Sequence, residues 1–263
     1  TNIGDEYTFC KEGLLHLKKT DNLEVRNITT DPDTASYRAS LDLRREGITE
    51  TVPINHIDTR HLAQNHRKFI KGQSKLLDLM PGRTKKLREK MQNNFALDLS
   101  KRCQAEFEKS FKKYDTCTPK LISNLSYATD AIVKCYQGDH TLCHKQSNVC
   151  WVAGTSWIDR STFLPSDFKL KISNEREDST LRMCVEYRLG KSTVLKTKLN
   201  KNTQKVESVN RRIKRSLPKN ITFKRNFHGR VHIAVHNCNH GPGESLVKLC
   251  QAIGCPISAG SSV

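Results

Sequence analysis

Ten cysteines constrain this chain more than any other feature. They are scattered along 263 residues, and no two of them form a C-x2-C pair, which removes the commonest zinc-finger and thioredoxin-like patterns. An even, scattered set favours up to five disulfides made in an oxidising compartment, although the pairing stays open. The alternative is a cytosolic protein with ordinary buried thiols. The predicted disulfide-forming residues are Cys10, Cys103, Cys117, Cys135, Cys143, Cys150, Cys184, Cys238, Cys250 and Cys255.

Two further patterns are typical of the secretory pathway. N-glycosylation sequons begin at Asn27, Asn124 and Asn220. The run Arg212-Ile213-Lys214-Arg215, followed by a serine, matches a proprotein-convertase site that would be cleaved after Arg215. The alternative for this run is a solvated basic loop. Together with the cysteines, these patterns predict a secreted extracellular glycoprotein.

The ends of the sequence and its hydropathy add two expectations. The chain starts at Thr1 with no charged and apolar leader after it, which predicts a mature product or a fragment of a longer precursor. It has no run of about 18 apolar residues, so no transmembrane segment is predicted.

Alternating apolar and polar residues predict β-strands on both sides of the chain's centre. Period-two alternation is typical of half-buried antiparallel strands. The apolar positions that alternate in this way are Tyr37, Ala39, Leu41, Leu43, Val52, Ile54, Phe168, Leu170, Ile172, Leu181, Met183, Val185, Tyr187, Leu189, Leu195, Thr197, Leu199, Val231, Ile233 and Val235.

The central part has helical spacing instead. Apolar residues recur every fourth position at Leu87, Met91, Phe95, Leu99, Cys103, Phe107 and Phe111. Such spacing puts them on one face of a helix. Further helical patterns run from Asp58 to Met80 and from Leu121 to Gly138. We therefore expect three packed helices, stapled by some of Cys103, Cys117 and Cys135.

The predicted fold class is α+β, with antiparallel β segments flanking a three-helix, disulfide-stapled block. The predicted regions are a β-strand region 1–57, a helical region 58–138, a Cys-containing connector 139–166, a β-strand region 167–236 with a basic loop 200–220, and a Cys-rich tail 237–263.

The net charge of +18 predicts a polyanionic partner. Fifteen Lys and Arg residues between Arg182 and Arg230 face only two acids, Glu186 and Glu207. Glycosaminoglycan, lipid headgroups or an acidic protein surface would suit this charge, and a solvated basic surface is the alternative. Nucleic acid is not predicted, because aromatic content is 6% and no RNP-like or helix-turn-helix pattern occurs. The predicted polyanion-binding residues are Lys196, Lys198, Arg211, Arg212, Lys214, Arg215, Lys224 and Arg225.

Four histidines recur every fourth residue at His228, His232, His236 and His240. On a helix they would form a metal-binding stripe, whereas on a strand they would lie roughly 13 Å apart, too far for one ion. The intervening β-branched residues favour a strand, so no metal site is predicted and these histidines remain weak candidates. A polar strand face, or a face that gains charge below about pH 6.5, is the preferred interpretation.

No catalytic signature is present. The sequence lacks a G-x-S-x-G elbow, an H-E-x-x-H motif and a P-loop. The nearest cluster, Asp139-His140 beside Cys143-His144, falls in a predicted disulfide loop. The expectation is therefore a protein that is not an enzyme and that needs no cofactor.

The strands Phe168–Ile172 and Leu181–Leu189 place apolar residues on one face and basic residues on the other. With the Arg212–Arg215 run, they resemble the amphipathic-β regions of secreted large lipid transfer proteins, the apolipophorin and vitellogenin group. That resemblance implies a secreted glycoprotein that binds or transports lipid through basic β-structure. The alternative is an extracellular receptor, ligand or adhesion module activated by cleavage after Arg215. A fusion glycoprotein is disfavoured because residues 216–230 are too polar for a fusion segment.

Overall fold

The structure is a computed structural model, and it describes residues 5–30, 35–114, 117–151, 154–201, 203–217 and 226–255. The chain divides into two compact units, Thr1–Asn202 and Thr203–Val263, which we call unit 1 and unit 2.

Unit 1 begins with two helices and two short strands. These are α1 (Glu6–Asp21), β1 (Asn27–Thr30), α2 (Ala35–Arg45) and β2 (Ile54–Ile57). The two strands pair in parallel, with Asn27 opposite Ile54. Helix α1 packs on α2, and the hydroxyl of Tyr7 in α1 donates to Asp42 at 2.7 Å.

The rest of unit 1 is helical. Its elements are α3 (Thr59–Lys71), α4 (Ser74–Leu79), α5 (Lys85–Tyr114), α6 (Thr118–Cys135), α7 (Cys143–Gln146), a 3-10 turn (Ile158–Arg160), α8 (Glu175–Leu189) and α9 (Lys191–Thr197). Helices α3, α6 and α8 pack around α5. The apolar stripe from Leu87 to Phe111, whose members are spaced four residues apart, lies in α5. The fully buried core includes Phe95, Leu99, Phe107, Leu125, Ile132 and Leu181.

The predicted antiparallel β segments are wrong, and α8 shows why. Leu181, Val185 and Leu189 are buried four residues apart, whereas Met183 between them is 43% exposed. Residues spaced by four satisfy both a period of two and a helical face, so alternation alone misleads. Asn174 caps α8, because its side chain accepts from the backbone N–H of Glu177.

Helix α2 repeats this correction in the first predicted β-strand region. Ala39 and Leu43 are fully buried one helical turn apart, and Ser36 and Ser40 are buried beside them. Among the residues predicted to lie in strands within region 1–57, Ile54 is the one found in a strand. That strand is β2, and it pairs in parallel with β1 rather than antiparallel.

The described residues of unit 2 form three helices: α10 (Gln204–Ser216), α11 (Phe227–His240) and α12 (Pro242–Ala252). The strand predicted at Val231–Val235 is wrong, because these residues lie in α11. Helix α11 packs on both of the other two. Of the described residues of unit 2, only Ala234 and Ser245 are buried.

The predicted disulfides are also wrong, because all ten cysteines carry free thiols. The helical block is therefore held by packing and by side-chain contacts. None of the described helices has the length and apolar character needed to cross a membrane.

Candidate metal centre

Four potential metal ligands converge at the end of α6. Cys135 is the last residue of α6, His140 lies in the turn that follows, Cys143 begins α7, and Cys150 lies in the loop after α7. Their ligand atoms all lie within 4.8 Å of one another. Gly138, with a φ of 87°, supplies the left-handed turn that brings the chain back toward Cys135.

The distances fit a tetrahedral ion better than a disulfide. The Sγ atoms of Cys135 and Cys150 are 3.8 Å apart, and His140 Nδ1 lies 3.8 Å from Cys143 Sγ and 4.0 Å from Cys150 Sγ. Bonds of about 2.3 Å to sulfur and about 2.0 Å to nitrogen place tetrahedral Zn²⁺ ligands about 3.5–3.8 Å apart. A disulfide requires sulfurs at about 2.05 Å. The cluster therefore has the size of a zinc site.

The ionisation of the three thiols also calls for a cation. Hydrogen bonds from the thiols of Cys135 and Cys143 lower the pKa of Cys150. Hydrogen bonds to Cys143 and Cys150, together with burial, raise the pKa of Cys135. A second and a third thiolate in this cluster would need positive charge beside them. Zn²⁺ supplies that charge and binds cysteine as the thiolate.

A buried arginine lies beside the cluster. Arg102 of α5 is fully buried, its Nη2 donates to Ser147 Oγ at 3.0 Å, and its Nε lies 3.7 Å from Glu106 Oε2. Burial alone would lower the pKa of Arg102, but the charges of Cys135, Cys150 and Glu106 outweigh it and raise that pKa. Three thiolates, a neutral imidazole and Zn²⁺ carry a net charge of −1, which Arg102 offsets.

Helix α5 fixes the loop that carries Cys143 and Cys150. Glu106 accepts hydrogen bonds from the hydroxyl of Ser147 and from the backbone and side-chain N–H groups of Asn148. Asp98 accepts from Trp157 Nε1 at 2.9 Å. Such contacts hold a metal loop in position and commonly matter nearly as much as the ligands.

A second hydrogen bond ties this loop directly to a ligand. The backbone N–H of Trp157 donates to Cys150 Sγ at 3.3 Å. An N–H donor to sulfur stabilises the thiolate form that a metal ion binds. Because all four ligands would come from the protein, an ion held here would have no open position for catalysis, as in structural zinc sites.

Sequence reasoning missed the polar side chains that support this centre. Asp98, Arg102, Glu106 and Ser110 are all buried and recur every four residues, each directly before a member of the apolar stripe of α5. The available signal was that Asp98, Arg102 and Glu106 repeat with the same four-residue spacing as the apolar stripe beside them, which places them at the edge of the buried face of α5. The metal ligands were themselves named only as disulfide cysteines and, for His140 and Cys143, as part of a weak catalytic cluster.

The other predicted site residues lie elsewhere. His228, His232, His236 and His240 lie along α11, while Lys196 lies in α9 and Lys198 directly follows it. The basic residues Arg211, Arg212, Lys214 and Arg215 lie in α10. Lys224, Arg225 and Asn220 fall outside the described residues.

The sequons and the cleavage run also have defined positions. Asn27 lies in β1, and Asn124 lies in α6, where its side chain accepts from Ser110 and Asn148. The cleavage run lies inside α10. Glycosylation and cleavage were both predicted for a secreted chain, so they depend on that setting.

A family model described as Mutator-like transposase matches residues 1–150, which include all four ligands of the candidate metal centre. No curated protein and no solved structure matches the chain. The match overturns the resemblance to lipid transfer proteins and the expectation of a secreted lipid-binding glycoprotein, since a transposase acts on DNA. For the same reason, the expectations of a non-enzyme and of no nucleic-acid partner are wrong.

The expectation of a secreted protein rested mainly on the interpretation of ten cysteines as disulfides. With free thiols, the argument for an extracellular protein disappears. The matched residues make up more than half of the sequence, and the chain belongs to the Mutator-like transposase family.

Proposed function

We propose that this chain is a DNA-binding part of a transposase, in which Zn²⁺ held by Cys135, His140, Cys143 and Cys150 orders a DNA-contacting loop. The observation that carries the proposal is the convergence of these four ligands within 4.8 Å, inside the part of the chain that matches the transposase family.

The metal ion's role is structural. It would join the end of α6, the start of α7 and the loop beyond α7, and the chain between and after these two helices contains little regular structure. A structural zinc ion supplies folding free energy to such segments directly. The ion would therefore add to the hydrogen bonds to Glu106 and Asp98 that hold this loop on α5.

The same loop exposes side chains suited to nucleic acid. Trp151 is 38% exposed, and it has a φ of 57°, which is unusual for a residue with a side chain. Its ring contacts His144 at 4.7 Å and His140, a ligand, at 5.5 Å between ring centroids. Lys145 is exposed next to His144. An exposed aromatic ring beside basic groups can stack on a base while the cations meet phosphate.

Helix α10 is the second proposed DNA-contacting element. Lys214 and Arg215 are exposed in its last turn, and Arg211 and Arg212 precede them. These are among the residues predicted to bind a polyanion, and for a transposase that polyanion is DNA. Each cation that neutralises a phosphate releases counterions, which makes binding depend on salt.

The test uses the purified full chain with one equivalent of zinc and a fluorescent DNA, single-stranded or duplex. Cys143→Ser should abolish both zinc binding and the contribution of the loop to DNA affinity. Trp151→Ala should keep the zinc and weaken single-strand binding by about 1–3 kcal/mol. Tyr127→Ala is the matched control, because Tyr127 is an exposed aromatic residue of α6, 55% accessible.

Two results would overturn the proposal. One is full DNA affinity in Cys143→Ser protein that binds no zinc. The other is equal weakening by Trp151→Ala and Tyr127→Ala, because the metal loop would then have no special role in DNA contact.

A further inference from the structure

We infer that residues 67–90, where α3, α4 and α5 meet, form a further DNA-binding surface, which takes the phosphate backbone of a duplex. These residues are called the basic corner below. The inference rests on the proposed DNA partner, but it concerns neither the metal loop nor α10. The basic corner lies within the part of the chain that matches the transposase family.

The basic corner stands out in how the net charge is distributed. Its 24 residues contain nine Lys and Arg against two acids. Residues 203–263 contain ten against two, whereas the other 178 residues of the chain have 26 against 23 and are nearly balanced. Most of the net charge of +18 therefore comes from two segments, and a local excess of this kind attracts a polyanion. The nine cations are Arg67, Lys68, Lys71, Lys75, Arg83, Lys85, Lys86, Arg88 and Lys90.

The fold gathers these cations in one region of unit 1. Helices α3 and α4 both pack on α5. Gln92 of α5 is buried, and its Nε2 donates to the carbonyl oxygens of Ile70 at 3.0 Å and Gln73 at 2.9 Å, which holds the end of α3 against α5. The turn before α5 fits as closely, since a Cβ added at Gly82 would lie 3.1 Å from the backbone nitrogen of Arg88.

The cations of the basic corner are mostly exposed and have few acidic partners. Among the residues that the structure describes, the ion pair that involves them joins Lys85 Nζ to Glu89 Oε1 at 4.0 Å, with side chains 75% and 51% exposed. Exposed pairs of this kind add little to stability. These charges therefore contribute little to holding the fold and are available to phosphate. The exposed members are Lys68, Lys71, Lys75, Arg83, Lys85, Lys86 and Lys90.

The start of α5 makes this excess of cations unusual. Its first turn contains no acid, and Lys85, Lys86 and Arg88 lie there instead. The first turn of α8, by contrast, contains three acids. Since the N-terminal end of a helix carries partial positive charge, acids there are stabilising and cations are not. A bound phosphate would relieve the repulsion at the start of α5.

The backbone of a DNA duplex suits a surface whose cations are spread over three helices. A duplex carries one negative charge per about 1.7 Å of its axis, so several lysines can meet phosphates at once. Phosphate contacts position a protein on DNA but carry no sequence information. The basic corner would therefore add affinity and fix the placement of the DNA without selecting its sequence.

The test measures binding of a labelled duplex by fluorescence anisotropy, with the full chain loaded with one equivalent of Zn²⁺. The triple variant Lys85→Gln/Lys86→Gln/Lys90→Gln should bind at least about 10-fold more weakly at about 0.1 M salt. Its plot of log affinity against log salt should be shallower by about 2–3, since each phosphate contact contributes about 0.9 to the slope. The matched control, Lys109→Gln/Lys112→Gln/Lys113→Gln, removes three exposed lysines near the other end of α5 and should change neither quantity.

Thermal unfolding of the zinc-loaded, DNA-free proteins separates binding from folding. Removing cations from the start of α5 should leave the unfolding midpoint of the triple variant unchanged or raise it. If these lysines were structural, the midpoint would fall together with DNA affinity, and that result would count against the inference.

The inference is overturned if the triple variant keeps the affinity and salt slope of the wild-type chain, or if the control variant loses as much affinity as the triple variant does. Either result leaves the proposed role of the metal loop standing. The reverse pattern is lost affinity in the triple variant and full affinity in zinc-free Cys143→Ser protein, which would support the basic corner and overturn the proposed role of the loop. A wild-type chain that binds no DNA would overturn both.

Discussion

Units 1 and 2 are both helical, but different interactions hold them together. Unit 1 buries a continuous core and places charged residues such as Arg102 and Glu106 inside it. Of the residues that the structure describes in unit 2, only Ala234 and Ser245 are buried. Residues 203–263 contain ten Lys and Arg against two acids, an excess of eight cationic side chains. Helical content alone therefore does not reveal how a unit is stabilised. Side-chain packing, buried polar contacts and metal ligands have to be identified separately.

The largest effect is expected from losing a zinc ligand in unit 1. Cys143→Ser should remove one zinc equivalent and destabilise unit 1 by about 5 kcal/mol, because metal-binding energy is folding energy in such loops. Zinc analysis and thermal unfolding check this. Cys117→Ser is the control, since Cys117 is half-buried and lies outside the ligand set. Equal zinc content in the two variants would contradict the assignment.

Removing the buried arginine comes next. Arg102→Met should lower the free energy of unfolding by about 3–5 kcal/mol, because Glu106 would stay buried with no counter-charge. Arg182→Met breaks the Arg182–Asp130 pair instead, whose side chains are 38% and 40% exposed, and should cost below about 1 kcal/mol. Urea unfolding of both variants measures the difference. Similar losses of unfolding free energy in the two variants would mean that the buried Arg102–Glu106 pair contributes no more to stability than the exposed Arg182–Asp130 pair.

Apolar truncation compares the two cores directly. Leu125→Ala should lower the unfolding free energy of unit 1 by about 2–5 kcal/mol, since Leu125 is fully buried. Ile233→Ala in unit 2 should cost below about 1 kcal/mol, because Ile233 is 49% exposed. Hydrogen exchange resolved along the chain separates the stabilities of the two units. A large loss from Ile233→Ala would show that unit 2 has more of a core than its burial suggests.

The smallest of these effects depends on pH. Burial lowers the pKa of His66 to about 4, from 6.5. The unfolded chain therefore binds a proton as the pH falls below 6.5 while folded His66 does not, so stability present above pH 6.5 is lost between pH 6.5 and 4, by about 3 kcal/mol.

His66→Gln tests this pH dependence, because glutamine can still donate to the carbonyl of Cys184, which His66 Nε2 contacts at 2.7 Å. Urea unfolding with a chelator present should show a flatter stability profile between pH 6.5 and 4 in the variant. Identical slopes for variant and wild-type protein would rule out His66 as the source.

Part of this fold could be predicted from the sequence, and the errors have definite physical reasons. The stripe of Leu87–Phe111 indicates a helix because a strand would put the polar residues Glu89, Asn93 and Lys101 on the same face as the stripe, and α5 spans it. Leu181–Leu189 satisfies both periodicities, and the cap at Asn174 and the acids Glu175 and Glu177 were the signals that favoured a helix.

The metal centre could not be predicted from spacing alone. Its pattern, C-x4-H-x2-C-x6-C, lacks the C-x2-C pair that marks common zinc sites, and free thiols and disulfide cysteines look identical in a sequence. The backbone conformation between the end of α6 and the loop beyond α7 brings the four ligands together.

Zinc X-ray absorption on the full chain loaded with one equivalent of Zn²⁺ would identify the atoms that bind the ion. We expect three sulfur ligands at about 2.3 Å and one nitrogen ligand at about 2.0 Å. A first shell of nitrogen and oxygen alone, or a chain that retains no zinc at micromolar concentration, would contradict the proposed cysteine and histidine ligands.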